Sequence, residues 1–139
     1  MAQSIRSVMT SAPITLSATS SVAEAARAMR DANIGDIIVL DGERTCGILT
    51  DRDIVVRAVA EGRYLASTKL ADICSRELTI LSSNDSIEDA VLLMREKAIR
   101  RLPVIEGGKP VGIVSIGDLA VSQDPRSALG HISAAPANR

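Results

Sequence analysis

Residues 8–54 align with residues 73–119 without a single gap. Leu16, Ser17, Ser21, Ala25, Met29, Arg30, Ile34, Val39, Gly42, Gly47, Ile48 and Asp53 each meet the same residue 65 positions later. Other pairs are conservative, such as Val22 with Ile87, Asp31 with Glu96, and Thr50 with Ser115. An ungapped internal repeat means one supersecondary unit used twice, and a unit of about fifty residues can hardly bury its own apolar faces.

Within each copy the hydrophobic period changes in the same order. Residues 13–16 predict a short strand, echoed by residues 78–81. A helix follows. Ser21 with Glu24 has capping-box spacing, and Val22, Ala25, Ala26 and Met29 share one face. In the second copy the face is Ile87, Ala90, Val91 and Met94, with Ser86 or Asp85 as cap. Residues 37–40 form a buried-type strand, and Asp41-Gly42 predicts a hairpin turn into the strand that ends at Leu49. The second hairpin runs from Leu102 to Ile105, through Gly107-Gly108, and back to Val114. Pro103 and Pro110 cannot donate to a ladder, which places them at strand ends or sheet edges. A second helix then starts, from about Asp51 to Glu61 in the first copy and fading by Asp124-Pro125 in the second.

The expected class is therefore α+β, with two gapless β-α-β-β-α repeats packed with pseudo-twofold symmetry. The expected division is a first motif with its N-terminal segment (1–62), a linker (63–72), a second motif (73–121) and a tail (122–139). A short helix is expected in the tail around residues 128–132.

Each second helix begins at a Gly-x-x-Thr/Ser-x-x-Asp pattern, Gly47 to Asp53 and Gly112 to Asp118. A helix start carries free N–H groups and the positive end of the dipole, so it suits a phosphate. Thr50 and Ser115 can donate to that phosphate. A carboxylate is an acceptor with room for two donors, so Asp53 and Asp118 suit a vicinal diol. The same spacing also fits a capping box, in which the acid satisfies the helix start itself. Sequence spacing alone does not separate the two.

The remainder narrows the function. The formal net charge of −1 supplies no general attraction to nucleic acid or anionic lipid. Tyr64 is the lone aromatic residue, so a planar ligand would lie between aliphatic side chains, and single-strand nucleic-acid binding is disfavoured. No apolar run is long enough to span a bilayer, and the N-terminus lacks a signal-type stretch, so cytoplasmic residence is expected. Cys46 and Cys74 lack metal spacing and read as small buried hydrophobes. The lone histidine, His131, lies in the tail away from every motif. No nucleophile–base pair, metal cluster or P-loop is visible, so no enzyme activity and no required cofactor or metal is expected. Ile54, Val55, Val56, Ala58 and Val59, with Leu92 and Leu93, exceed what one buried helix stripe needs, which points to copy-on-copy packing or a homodimer.

The repeat, and above all the stretches GILTDRDIVVRAVAEG and RRLPVIEGGKPVGIVSIGDLA, closely resembles a tandem pair of CBS domains, a Bateman module, over residues 8–121. The resemblance implies two clefts between the motifs that take adenosyl ligands such as AMP, ADP, ATP, NAD or S-adenosylmethionine. It also implies dimerisation and a role as an energy or metabolite sensor. Asp118 and Asp53 would then hold ribose hydroxyls, and Ser115 and Thr50 the phosphate. Backbone near Ile14-Thr15 and Thr79-Ile80 would meet the adenine edge, walled by Ile14, Ile48, Ile80 and Ile113. Arg100 stands where family members often place a phosphate-binding base, whereas the first copy has Gly35 and Asp36 there, offset in part by Arg52. The Asp118 cleft is thus expected to prefer phosphorylated nucleotides and the Asp53 cleft a less charged ligand. The other reading is a ligand-free dimeric scaffold for an unidentified protein target.

Overall fold

In the computed structural model, which describes residues 3–75 and 78–135, the chain folds as two compact units. One runs from Ile14 to Leu78; the other joins the residues up to Pro13 with those from Thr79 onward.

In the first unit, β2 (Thr15–Ser17) leads into α1 (Val22–Ala32), then the hairpin β3 (Asp36–Asp41) and β4 (Arg44–Thr50). Helix α2 (Asp51–Ile54) follows directly and continues as a π-helical turn over Val55–Val59. The sheet order is β2-β3-β4, parallel then antiparallel. Ser21 caps α1 by accepting from the Glu24 N–H at 3.1 Å, and Asn33 closes it in the left-handed conformation. The core lies between α1, the sheet and α2, around Val22, Ala25, Met29, Ile37, Val39, Leu49 and Ile54.

The second unit repeats the plan. α3 (Ile87–Lys97) is followed by β5 (Arg101–Glu106), β6 (Lys109–Ser115), α4 (Ile116–Gln123) and α5 (Ala128–Ala134). Its sheet order is β1-β6-β5, with β1 (Thr10–Ser11) antiparallel to β6. Both hairpins carry a register irregularity at the same place, after Val39 and after Val104. The turns use left-handed glycines, Gly42 at φ 65° and Gly107-Gly108 at 57° and 83°, which lack the Cβ that would clash. The core gathers Ile5, Leu81, Ile87, Ala90, Met94, Leu102, Val104 and Val114.

Several expectations change. The N-terminal segment, assigned to the first motif, packs with the second: the Ile5 and Arg6 N–H groups donate to Asp85 and Ser83 carbonyls at 2.9 and 3.1 Å. The linker is matched to this, since Leu70 and Ala71 donate to Ser20 and Ala18 at 2.9 and 3.0 Å. Each bond in one set lies 65 positions from one in the other, so the repeat begins earlier than residues 8 and 73. The cause is burial: Ile5 and Leu70 are fully buried.

The expected strand at 78–81 is reduced to an isolated bridge, Leu81 with Val104. Glu24 does not reciprocate Ser21, whereas Ser86 and Asp89 form the full box. Val91, placed on the core face, is 44% exposed, because Ile87, Ala90 and Met94 already fill the stripe. Helix 51–61 is shorter than expected as an α-helix and passes into its π turn. Pro103 lies in β5, at the edge of its sheet, which is one of the two places expected for it, since a missing donor costs least there. The tail helix appears as α5. Among the described residues, no helix is long and apolar enough to cross a membrane.

Candidate functional site: two helix starts

Each candidate site forms where a hairpin strand runs straight into a helix. In the second unit, β6 ends at Ser115, whose hydroxyl accepts from the Asp118 N–H at 3.1 Å while Asp118 Oδ2 accepts from the Ser115 N–H at 2.9 Å. In the first, Thr50 and Asp53 make the same pair at 3.1 and 2.9 Å. The capping box, one of the two readings of the spacing, is therefore present in both motifs. It engages one oxygen of each carboxylate and leaves Oδ1 for another partner.

The first residue of each helix is held in the same way. Ile116 N–H donates to the Arg100 carbonyl at 2.9 Å, and Asp51 N–H to the Gly35 carbonyl at 3.0 Å. Arg100 is thus brought by its backbone to the start of α4, with an exposed side chain. The second helical position separates the copies. In the first, Arg52 N–H is taken up by the Asp51 carboxylate at 2.8 Å. In the second, Ile116 and Gly117 replace Asp51 and Arg52, and the Gly117 N–H has no partner among the described residues.

The two carboxylates have different neighbours. Asp53 Oδ1 lies 3.8 Å from Arg57 Nε, and Arg57 also donates to the Ile73 carbonyl at 3.2 Å. The position equivalent to Arg57 is Ser122, whose hydroxyl bonds to Gln3 Oε1 at 2.9 Å. Asp118 lines a groove of about 380 Å³ with Gln3, Ser7, Ser122 and Ser133 on its polar side and Val8, Val121 and Ala134 on its apolar side, with no cationic side chain among these lining residues. A ribose-sized polyol fits that chemistry, because Asp118 offers an anionic acceptor and the rim offers neutral donors.

The remaining expected residues are distributed unevenly. Thr15 and Ile48 flank Ile38 on neighbouring strands, and Thr50 pairs with Asp36. Ile14 is 38% exposed and lends its carbonyl to the Ile38 N–H at 3.1 Å. Ile80 is 45% exposed, Thr79 is half-buried, and neither belongs to a strand. Ile113, proposed as a wall, is 9% exposed and mostly committed to packing. Arg52 is exposed. Sequence reasoning missed Arg57, Ser122 and Ser133. Arg57 was detectable, since it lies one helical turn after Asp53. Ser133 was not, because its place depends on how α5 folds back.

With this geometry in view, the chain belongs to the CBS-domain family: the CBS domain model matches residues 5–59 and 70–122. The chain is 40% identical over 127 residues to the CBS domain-containing protein YhcV of Bacillus subtilis, covering 91% of this chain and 90% of that one. The crystal structure of the CBS domain protein NE2398 matches with a TM-score of 0.79 at 28% identity, covering 88% of this chain and 98% of that one. A hexameric CBS-CP12 protein from bloom-forming cyanobacteria matches with a TM-score of 0.78 at 26% identity, over 90% of this chain and 74% of that one. The α+β class and the duplicated motif expected from the repeat are those of this family.

Proposed function

We propose that the chain is a regulatory module that binds an adenosyl ligand, with AMP as the reference compound, at the helix starts of its two motifs. The observation that carries this reading is Asp118: its Oδ2 is used by the cap, and the residue borders an open groove rimmed by hydroxyls. Asp118 would take the ribose diol, and Ser115 with the Gly117 N–H the phosphate, with Arg100 adding charge. Asp53 and Thr50 would serve the weaker first site, where Asp51 places a second carboxylate. A regulator needs no catalytic group, only different affinities for two states. Among the described residues no group of His, Cys, Asp and Glu could hold a metal ion.

A thermal-shift series with AMP, ADP, ATP, NAD and S-adenosylmethionine tests the reading. A ligand at a hundred times its dissociation constant adds about 2.7 kcal/mol. Asp118→Asn, which retains an acceptor for the cap, is expected to reduce the shift for the binding compound to what the Asp53 site supplies while leaving the unliganded midpoint nearly unchanged. A series in which no compound shifts the protein would favour the scaffold reading.

Self-association belongs to the same proposal. Val91, Leu92, Ile116, Val121 and Leu129 are exposed around the outer faces of α3, α4 and α5, beside an apolar groove of about 370 Å³. Surfaces of this kind mark interaction sites, and one structural relative is hexameric. A homodimer is expected by sedimentation, and Leu92→Arg is expected to shift it toward monomer.

A further inference from the structure

We propose that Arg57 is the residue that makes the two motifs unequal toward a neutral diol: in the first motif its guanidinium takes the place beside Asp53 that a ligand hydroxyl takes beside Asp118 in the second. This rests on the adenosyl-binding reading above and deepens it by saying which carboxylate is free. In both motifs Oδ2 of the carboxylate is committed to the capping box, so a ribose depends on Oδ1. At Asp53 that oxygen already faces Arg57 Nε at 3.8 Å. The same guanidinium donates through Nη1 to the Ile73 carbonyl at 3.2 Å, so it bridges the helix and the segment that packs beside it. The Asp53 side chain is left 16% exposed.

The second motif has the same two walls without the bridge. Ser122 stands at the Arg57 position and Val8 at the Ile73 position, 65 residues removed in each case. Both line the groove of about 380 Å³ that Asp118 borders. The Ser122 hydroxyl bonds to Gln3 Oε1 at 2.9 Å and leaves Asp118 to the groove.

A guanidinium N–H and a sugar O–H are both donors, and they compete for the same lone pairs of a carboxylate oxygen. The charged donor is the stronger of the two. A ribose at Asp53 must therefore displace Arg57, whereas no cationic side chain lines the groove at Asp118. Arg57 is half exposed, and ion pairs of that kind are weak, so the handicap of the first motif is about fivefold rather than absolute.

The experiment is calorimetric titration of the full chain with adenosine, which is uncharged, so that no gain can come through a phosphate. With Asp118→Asn in place the first motif is the reporter. Adding Arg57→Ser, which installs the residue of the second motif, is expected to tighten adenosine about fivefold. Arg57→Gln keeps a donor for the Ile73 carbonyl and removes the cation, and a similar gain is expected, which separates the charge from any loosening of the segment. Adding Asp53→Asn is expected to cancel the gain. In the reciprocal series, with Asp53→Asn in place, Ser122→Arg is expected to weaken the Asp118 site about fivefold, and Ser122→Met, of similar length without the charge, to weaken it less. Affinity that neither Arg57 variant improves, or equal effects of the two Ser122 variants, overturns the role of Arg57; the sites still stand if Asp53→Asn and Asp118→Asn together abolish binding. Binding that persists in that double variant, or no binding by the unsubstituted chain, overturns both.

Discussion

The two copies share a skeleton down to the register irregularity of their hairpins, and they diverge at the second residue of one helix. Asp51-Arg52-Asp53 closes its own helix start: every N–H of the first turn has a partner from the chain, and two carboxylates stand there. Ile116-Gly117-Asp118 leaves one N–H open and one carboxylate on a groove. Duplication preserved what the hairpin-to-helix junction needs mechanically, which is the Thr/Ser–Asp capping box. The residues between those two are free of that duty, so the copies could acquire different ligand chemistry there without losing the fold.

The largest expected effect breaks the mechanical part of the likeness. Gly47 and Gly112 occupy equivalent places, each under the strand that returns from the neighbouring segment. A Cβ on Gly47 would overlap the Ser75 carbonyl oxygen, a backbone atom. One on Gly112 would lie 2.5 Å from Met9 Sδ, in a flexible side chain, and 3.0 Å from the Thr10 carbonyl oxygen, the equivalent backbone atom at a longer distance. Overpacking costs roughly 1–3 kcal/mol, the upper end applying where nothing can yield. Gly47→Ala is expected to cost about 3 kcal/mol and Gly112→Ala about 1 kcal/mol, read by urea denaturation. Equal losses would mean that the two strand crossings are equally rigid.

Such equivalences were legible in the sequence because they are local or periodic. The 65-residue offset located both hairpins, both helix pairs and both capping boxes, since each depends on spacing within a few residues. The exchange of residues 5–11 and 70–75 between sequence repeat and compact unit was not legible, because burial of Ile5 and Leu70 depends on which sheet each short segment reaches. Val91 was misplaced for a related reason: periodicity identifies an apolar stripe but not its width, and the equivalent Ala26 hid the question. At the candidate site, Asp118, Ser115 and Arg100 were found by motif. The unpartnered Gly117 N–H emerges only once Asp51 is seen to occupy its counterpart.

That counterpart gives the next test. Asp51→Ala removes a carboxylate from the first helix start and frees the Arg52 N–H, making it resemble the second. Two like charges about 4 Å apart in water repel by about 1 kcal/mol, so AMP affinity at the first site is expected to improve about fivefold. Ile116→Asp is expected to weaken the second by a similar factor. Titrations in which neither variant changes affinity would show that the copies differ for some other reason.

A smaller difference lies at the ends of α1 and α3. Both finish in the left-handed conformation, Asn33 at φ 55° and Ala98 at φ 54°. Asparagine tolerates that region, whereas alanine brings its Cβ against the following carbonyl. Ala98→Gly is expected to stabilise the protein by roughly 0.5–1 kcal/mol, the relief of strain being partly offset by the freer unfolded chain. Asn33→Gly is expected to change stability little, and a thermal melt of the pair distinguishes them.

The smallest expected effect concerns acid. In the second unit Glu106 Oε1 accepts from the Ser83 hydroxyl, from the Ser83 N–H at 2.9 Å and from the Ser82 hydroxyl at 3.3 Å, and Arg6 donates to the Ser83 hydroxyl at 2.8 Å. The Ser83 hydroxyl and N–H hold the Glu106 carboxyl below its usual 4.5, against a smaller opposing effect of burial, with Ser82 and Arg6 adding to the lowering. A depressed carboxylate contributes stability that is complete above its unfolded value and fades as pH falls through the folded one. The polar tie that joins the N-terminal segment to this unit should therefore loosen below about pH 4.5. In the first unit Ala18 and Ala71 stand at the Ser83 and Arg6 positions and bring no side-chain donor. Amide exchange protection should thus fall on acidification at Arg6, whose N–H bonds to Ser83, more than at Ala71, whose N–H bonds to Ala18. Glu106→Gln should abolish that difference by removing the titrating group while retaining an acceptor. If both amides lose protection together in the unsubstituted protein, acid acts on the fold as a whole and the tie has no separate influence.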